Sequence, residues 1–536
     1  MSTKKPFEIR IESILGGQSP TTHFSGSGQF RASLGIDPAQ PLDDGDTAYS
    51  TIASGLLRPT ASEKFSSTTI TSAPLFIKTN PKNSLVYVYD AKGSTYTIDA
   101  TLTTVTGLAD GGSLTGSLGN GCEYCDNYMY FAKNTNIARY GPLNGTPAFN
   151  GTYWTGTLGK TALSNTTYPT SFKNNLAIPN HPMCRHSNGK LYFGDVVGNQ
   201  GYIHYISTKK TTVEGDTDDG STYLALDFGY GLWPTAIESY GQNLAVALYE
   251  GSNTGLRQKV AKLAFWDLVT ADPTQMVFVE FPDAIITAMK NVNGTLYVVS
   301  GNYKTRGFRV TRFMGGYSFE EVYYSETGEP CLPGAIDTVL NRVVFGSHTT
   351  VPESDGCLYG LGLQKSSLGQ GMFNLMRATG ANASTSVTSV AFADSSGLGF
   401  YTPIIGWSQA GEGSTSANHG LDKQGTAYNN APSVLWGSMI RIGQPFKITK
   451  IRIPLAQAVT ASMTLTAKIY FDDGAMSYTC QEIGGATNVF GGLRDIILRP
   501  INASGGHNFW IELRWAGASL LTVNLPVIVE GETFDD

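Results

Sequence analysis

Residues 289–299, Met-Lys-Asn-Val-Asn-Gly-Thr-Leu-Tyr-Val-Val, join a turn signal, Asn293-Gly294, to an apolar run through Leu296, Tyr297, Val298 and Val299. Asn-Gly supplies the positive φ angles of a two-residue hairpin, and β-branched and aromatic side chains suit a pleated surface. The phrase recurs in altered form around Leu85, Tyr128, Leu191, Leu244 and Val343, and more weakly around Val390. With Leu296 these make seven copies, spaced 43 to 63 residues apart. A four-stranded antiparallel blade needs about 40–50 residues, and repetition around an axis protects strand edges in an all-β chain of this size. The spacing predicts an all-β fold built on a seven-bladed β-propeller. Ordinary hairpins in stacked sandwiches would give the same turn spacing without closing a circle.

Composition agrees with short strands and tight turns. Gly is 62 of 536 residues and charged residues are only 15%, which argues against a coiled coil and against global disorder. A net charge of −6 gives no basic footprint for nucleic acid, so no nucleic-acid partner is expected. The sequence has no apolar run long enough to enter a bilayer and no secretion signal after its basic start, so neither membrane insertion nor export is expected. The six cysteines do not make a disulfide scaffold in a chain of this length and read as buried thiols.

Residues 1–70 differ in composition from the repeats behind them. Gly- and Pro-containing phrases dominate, and apolar residues stand singly: Ile11, Ile14, Leu15, Phe24, Phe30, Leu34, Ile36, Leu56 and Leu57. Such a segment holds too little apolar surface for a core of its own and becomes ordered by lying on something else. We read an extended N-terminal arm, docked on its own propeller or on a neighbouring subunit.

The segments Gly16-Gly17-Gln18-Ser19-Pro20, Gly28-Gln29-Phe30-Arg31-Ala32-Ser33-Leu34-Gly35-Ile36-Asp37-Pro38 and Ser54-Gly55-Leu56-Leu57-Arg58-Pro59 resemble the N-terminal region of virion structural proteins from tailed bacteriophages, in particular tail-associated proteins with a propeller body. The resemblance covers about the first 60 residues. It implies a tail or tail-tip component located in the virion, partnered by copies of itself and by other virion proteins, and not an enzyme. The other reading is a carbohydrate-binding propeller that recognises a host-surface glycan.

The propeller is expected over 71–408. Residues 409–432, polar and Gly-rich, read as a linker. Over 433–536 the rhythm changes to cleanly alternating strands such as Phe446–Ile453 and Met463–Tyr470, which predict a C-terminal β-sandwich of jelly-roll type.

Chemical signals are few. Cys122-x-x-Cys125 and Cys184-x-His186 each precede a repeat phrase, so adjacent blades could bring four soft metal ligands together; small buried side chains between blades are the plainer reading. No cofactor is expected. Asp216, Asp218 and Asp219 lie in an acidic turn that partly matches an Asp-box, and Glu320-Glu321 are adjacent on one strand, which points them to opposite faces. Loop aromatics Trp154, Trp233 and Tyr303 are the candidate ligand contacts, while the repeat tyrosines Tyr87, Tyr130, Tyr192 and Tyr297 should pack between blades.

Overall fold

The computed structural model describes residues 4–12, 70–108, 121–154, 181–207, 224–250 and 260–348 apart from gaps of up to four residues, then 356–362, 372–380, 385–394, 401–409, 419–425, 433–455, 463–471, 476–482, 495–500, 506–517 and 523–534, with shorter stretches between 17 and 65. Strands dominate; the helical element among the described residues is a single 3-10 turn, Pro273–Gln275, capped by the Asp272 side chain. The chain divides into two compact units, Lys64–Gly356 with Gly380–Lys423, and Met1–Glu63 with Cys357–Thr379 and Gln424–Asp536.

The first of these units is a series of antiparallel meanders. Five complete four-stranded sheets follow one another, beginning with the strands Pro74–Thr79, Gly121–Cys125, Met183–Arg185, Leu232–Tyr240 and Ile285–Val292. A sixth sheet begins with Ile336–Val339 paired to Arg342–Gly346, and a seventh with Thr385–Asp394 paired to Tyr401–Gln409 and then to His419–Gly425. Each of these first strands touches the first strand of the next sheet, and Thr385–Asp394 in turn touches Pro74–Thr79, so the series closes on itself. That cyclic order of antiparallel sheets is a β-propeller arrangement.

The repeat phrases are the second strands. Val86–Asp90, Tyr128–Ala132, Asn243–Glu250, Thr295–Gly301 and Arg342–Gly346 are buried along almost their whole length, because each is covered on both faces by neighbouring sheets. Tyr87, Tyr130, Tyr192 and Tyr297 are all under 5% exposed. Asn293 and Gly294 take φ of 50° and 85° and join Ile285–Val292 to Thr295–Gly301, the hairpin their sequence predicts. The seventh phrase is out of phase: Val390 lies on the first strand of its sheet, and the second strand is Tyr401–Gln409. Both strands are apolar and both are buried, so hydrophobicity alone does not distinguish them.

Closure is made by packing and by hydrogen bonds. Ile77, Val86, Val88, Ala391, Ala393, Ile404 and Leu421 form one core between the seventh and first sheets. Ser389 Oγ donates to the Pro74 carbonyl at 2.6 Å, Val390 N–H to Gly334 O at 3.0 Å and Val387 N–H to Ser347 O at 2.9 Å. At Gly334 a Cβ would lie 1.8 Å from the Leu75 carbonyl oxygen, so only glycine allows this approach.

Residues 409–432, expected to be a linker, contain the strand His419–Gly425. His419, Leu421 and Asp422 are buried, the His419 ring lies 2.7 Å from Ile70 O, and Lys423 Nζ donates to Leu102 O at 2.7 Å. A strand whose buried side chains are mostly polar and individually partnered leaves no alternating pattern to read.

The second unit centres on an eight-stranded sheet. Its path runs Lys4–Ile11, Val527–Phe534, Ser433–Pro454, Asp495–Pro500, Met476–Glu482, Met463–Phe471, Gly506–Gly517, and Ala32–Leu34 adds to Ser433–Pro454. The 22-residue strand Ser433–Pro454 also pairs with Gly506–Gly517, so the path from Asp495–Pro500 round to Gly506–Gly517 returns to it. Register shifts at Trp436/Ile440 and Arg441/Phe446 mark where it can turn the corner. Gly437, Gly443 and Pro445 read as breakers in the sequence; here they sit inside a bent strand. The inner face is apolar and closed to water: Phe446, Ile448, Ile451, Ile453, Ile469, Phe509, Ile511, Leu513 and Trp515 are at most 1% exposed.

Three strands of the arm pair with C-terminal strands of this unit. Lys4–Ile11 pairs with Val527–Phe534 over eight residues, Ala32–Leu34 with Ser433–Leu435, and Leu56–Leu57 with Val523–Asn524. Gln29–Phe30 pairs with Gly17–Gln18, and Ile36, 1% exposed, donates its N–H to Asn374 O at 2.9 Å. Ile11, Phe30, Leu34, Ile36, Leu56 and Leu57 therefore stand on backbone paired within their own chain; Ile14, Leu15 and Phe24 lie outside the described residues. For Ile11, Leu34, Leu56 and Leu57 the backbone partners are C-terminal strands, for Phe30 the strand Gly17–Gln18, and for Ile36 Asn374 on the strand Met372–Arg377. Spaced apolar residues show that an arm needs support, and backbone pairing selects the support.

Candidate functional site

The four metal-ligand candidates separate. Cys122 packs with Tyr89 and Phe131 between the first and second sheets, Cys125 with Tyr130 and Phe193 between the second and third, and Cys184 with Tyr192 and Leu244 between the third and fourth. The His186 ring nitrogen Nδ1 accepts from Asn188 N–H at 3.2 Å inside a turn. Among the described residues no three His, Cys, Asp or Glu side chains come together as metal ligands. Burial pushes the Cys122 and Cys184 thiols well above the usual range and Cys331 up to about 12, so these sulfurs stay protonated and poor nucleophiles.

The ligand-contact aromatics fare similarly. Trp233 is 9% exposed and packs on Tyr249, ring centres 6.0 Å apart, beside Val196 and Ile285. It is a core residue and not a ligand contact. Trp154 ends the strand Ala148–Trp154, opposite Ile137. Tyr303 and the acidic turn at 216–222 lie outside the described residues. Glu320 is held by Arg312, whose Nε donates at 2.6 Å, and Glu321 by Arg309.

What does converge is a ring that sequence reasoning missed. Within the propeller unit, Lys78, Glu123, Cys184, Glu238, Lys290 and Asp337 occupy the same register position on the first strands of six successive sheets: each is paired across the ladder with Tyr87, Tyr130, Tyr192, Ala245, Tyr297 or Val344 of the second strand. Ala391, paired with Ile404, completes the circle. Because the first strands are the ones that touch around the series, one side chain from each sheet faces the centre.

Charges around the ring alternate enough to pair. Lys78 Nζ lies 2.8 Å from Glu123 Oε2, and Lys290 Nζ lies 4.0 Å from Glu238 Oε2. Glu238 Oε1 also accepts the Asn291 N–H at 3.3 Å. These four side chains keep 15% to 25% of their surface accessible, so the ring is half-buried and still reaches water. The Glu238 carboxylate raises the Lys290 ammonium well above its ordinary value, with Asp337, Glu123 and Cys184 adding to it against the cost of burial. Burial lowers the charged form of Lys78, yet Glu123 beside it leaves the ammonium raised overall. Glu238 and Asp337 are raised by burial, opposed by Lys290. A perturbed cluster of this kind marks either a functional site or a structural ion network. With its cations more firmly protonated and its one thiol inert, this ring acts as an ionic clasp between sheets.

In sequence the signal was a residue of the strand ahead of each repeat phrase that is charged in five of these six sheets. It becomes visible once the phrases are aligned on the tyrosines and not on the leucines.

No protein-family model and no curated protein matches the chain. Solved structures do: 595 chains match, among them WD40 propellers. The WD40 domain of Neurospora crassa Pan2 is 9% identical, with 66% of this chain and 89% of that one covered and a TM-score of 0.39. The RRP9 WD40 repeats are 10% identical, covering 68% and 98%, with a TM-score of 0.40. The computationally designed Ika8 protein is 13% identical, covering 67% and 99%, with a TM-score of 0.35.

Proposed function

We propose that the chain is a non-enzymatic structural component of a tailed-phage virion, acting at the tail or tail tip, in which a seven-bladed β-propeller and a C-terminal β-module serve as rigid bodies. Its partners are copies of itself and other virion proteins. The observation that carries this reading is the fate of the first 60 residues. The segments that resemble phage tail proteins contribute the strands Gln29–Phe30, Ala32–Leu34 and Leu56–Leu57, two of which pair with the strands Ser433–Pro454 and Val523–Asn524. A module assembled from both ends of the chain presents fixed surfaces to its neighbours, which suits assembly, where the geometry of contact has to persist. The blade count is supported by the cyclic contact of seven first strands and by the shared core of the seventh and first sheets.

Assembly through a free arm does not fit this arrangement, so the contacts belong to the finished module and to the outer strands of the sheets. Deleting residues 1–70 would test folding and not assembly, because it strips two strands from the eight-stranded sheet and removes the strand paired with Val523–Asn524. The deciding measurement is mass spectrometry of purified tailed particles from the lysate in which the chain is made. Recovery at a fixed stoichiometry with other tail proteins is the expected result; its absence from the particles overturns the virion reading.

A further inference from the structure

The strand Lys4–Ile11 ends its sheet: among the described residues it pairs on one side only, with Val527–Phe534. Its outer edge carries backbone donors and acceptors that would accept another strand, and natural edges are blunted with charge and proline to prevent that. Lys5, Pro6, Glu8, Arg10 and Glu12 are exposed here, while Phe7, Ile9 and Ile11 alternate with them and are half-buried. The charges flanking Ile9, however, are opposite in sign, Glu8 before it and Arg10 after it. We propose that this edge is a self-docking surface, through which a second copy of the chain pairs antiparallel about a two-fold axis at Ile9 and continues the sheet. This rests on the reading of the chain as an assembling protein and deepens it.

In that register Glu8 faces Arg10 of the second copy and Arg10 faces its Glu8. Phe7 meets Ile11 in both senses, Ile9 meets Ile9, and Pro6 falls opposite Glu12 at the end of the pairing, where its missing N–H removes at most one ladder bond. The neighbouring registers fail. An axis at Glu8 sets Glu8 on Glu8, one at Arg10 sets Arg10 on Arg10, and one at Phe7 sets Lys4 on Arg10; an axis between two residues puts apolar positions opposite charged ones. The edge is thus closed to most strands and complementary to its own copy.

Within one chain the charges are incompletely matched. Glu8 stands directly across the ladder from Glu530, a like-charge pair, and is balanced by Arg10 Nε at 2.6 Å along the same strand. Both side chains remain about half exposed, at 55% and 46%. The hydrogen bond and charge of Glu8 raise the Arg10 guanidinium, with Glu12 adding to it. Dimerisation would give each Glu8 a second guanidinium and each Arg10 a second carboxylate, with no side chain having to leave a core. A two-fold strand pair is also isologous, so it closes at two copies.

The experiment is sedimentation equilibrium of the full chain, with Glu8→Arg, Arg10→Glu and the double exchange Glu8→Arg/Arg10→Glu. The wild type should show a reversible dimer. Each single variant sets like charges opposite one another twice and should weaken the dimer by about tenfold or more, while the double exchange restores the alternation and should recover it. As a register-specific readout, Ile9→Cys should form an intermolecular disulfide in the dimer. The charge variants lie at exposed positions, and unchanged thermal unfolding will show that all the variants fold. A wild type that stays monomeric, single variants that dimerise normally, or a double exchange that fails to recover would each overturn the proposal. None of these outcomes bears on whether the chain is found in particles.

Discussion

The two units solve the same problem, unsatisfied strand edges, in opposite ways. The propeller unit uses many short strands, each paired to its sequence neighbour, and closes by repetition; its long-range links are few, at the seam between the seventh and first sheets. The other unit uses one 22-residue strand as a hub and draws in partners from positions 32–34, 495–500, 506–517 and 527–534, the last of which carries 4–11 on its far side. Local pairing makes the first architecture readable and quick to form, while non-local pairing makes the second cohesive and hard to read.

The largest effect should come from the hub unit. Trp515→Ala removes a side chain that is 1% exposed in its closed core and should cost about 4 kcal/mol. If the units are separate cooperative bodies, hydrogen exchange will show faster opening across 433–534 with the propeller strands unchanged; loss of protection in both would merge the two.

Gly334→Ala attacks the seam instead. The added methyl meets the Leu75 carbonyl oxygen at 1.8 Å, a clash with rigid backbone, and about 3 kcal/mol is expected from denaturant unfolding, read by hydrogen exchange at Pro74–Thr79 and Thr385–Asp394. An effect confined to the sixth sheet would mean that the circle is not a cooperative unit.

Lys290→Met tests the clasp. It strands Glu238 without its cation, and since the pair is still a fifth exposed, about 2 kcal/mol is expected. The folded Lys290 is raised above its ordinary 10.5, so its contribution is fully present below that pH and disappears as pH rises through the higher folded value. The stability gap between wild type and variant should therefore hold flat from pH 7 to about 10 and narrow in stronger alkali. A gap that narrows below pH 9 would contradict the pairing.

The smallest effect lies in a turn of the first sheet. Burial raises Asp99, but the amides of Thr104 and Thr103 and the hydroxyls of Thr101 and Thr103 together outweigh it and hold the carboxyl below its usual range. Asp99→Ala should cost about 1 kcal/mol. Because the folded value is depressed, the contribution is present above the ordinary 3.8 and fades as pH falls below it, so the variant and wild type should converge in acid unfolding curves.

Legibility in the sequence divides along the same line. Asn293-Gly294 and the apolar second strands announce themselves because turn chemistry and burial on both faces act over a few residues. The seventh phrase slipped to the first strand since two adjacent buried strands carry the same hydrophobic signature. The ring of Lys78, Glu123, Glu238, Lys290 and Asp337 stayed hidden because each member is a single polar residue whose partner lies on the next sheet. Trp233 misled for the opposite reason: it sits beside Gly231 and Pro234, breakers that signal a loop, within the strand Leu232–Tyr240. The destination of the arm was least legible, since Lys4–Ile11 finds Val527–Phe534 through backbone hydrogen bonds that any alternating strand could offer.

That last pairing has a cost in time. Thr533 Oγ1 reaches the carbonyl of Lys5 across a separation of 528 residues. At about 5–20 residues per second, Lys4–Ile11 leaves the ribosome roughly half a minute to two minutes before its partner exists. During that interval the nascent strand is an unpaired edge on a growing polysome, surrounded by identical strands on neighbouring chains. Its alternating charges would then matter before folding is complete, because the strands around it are the ones those charges complement.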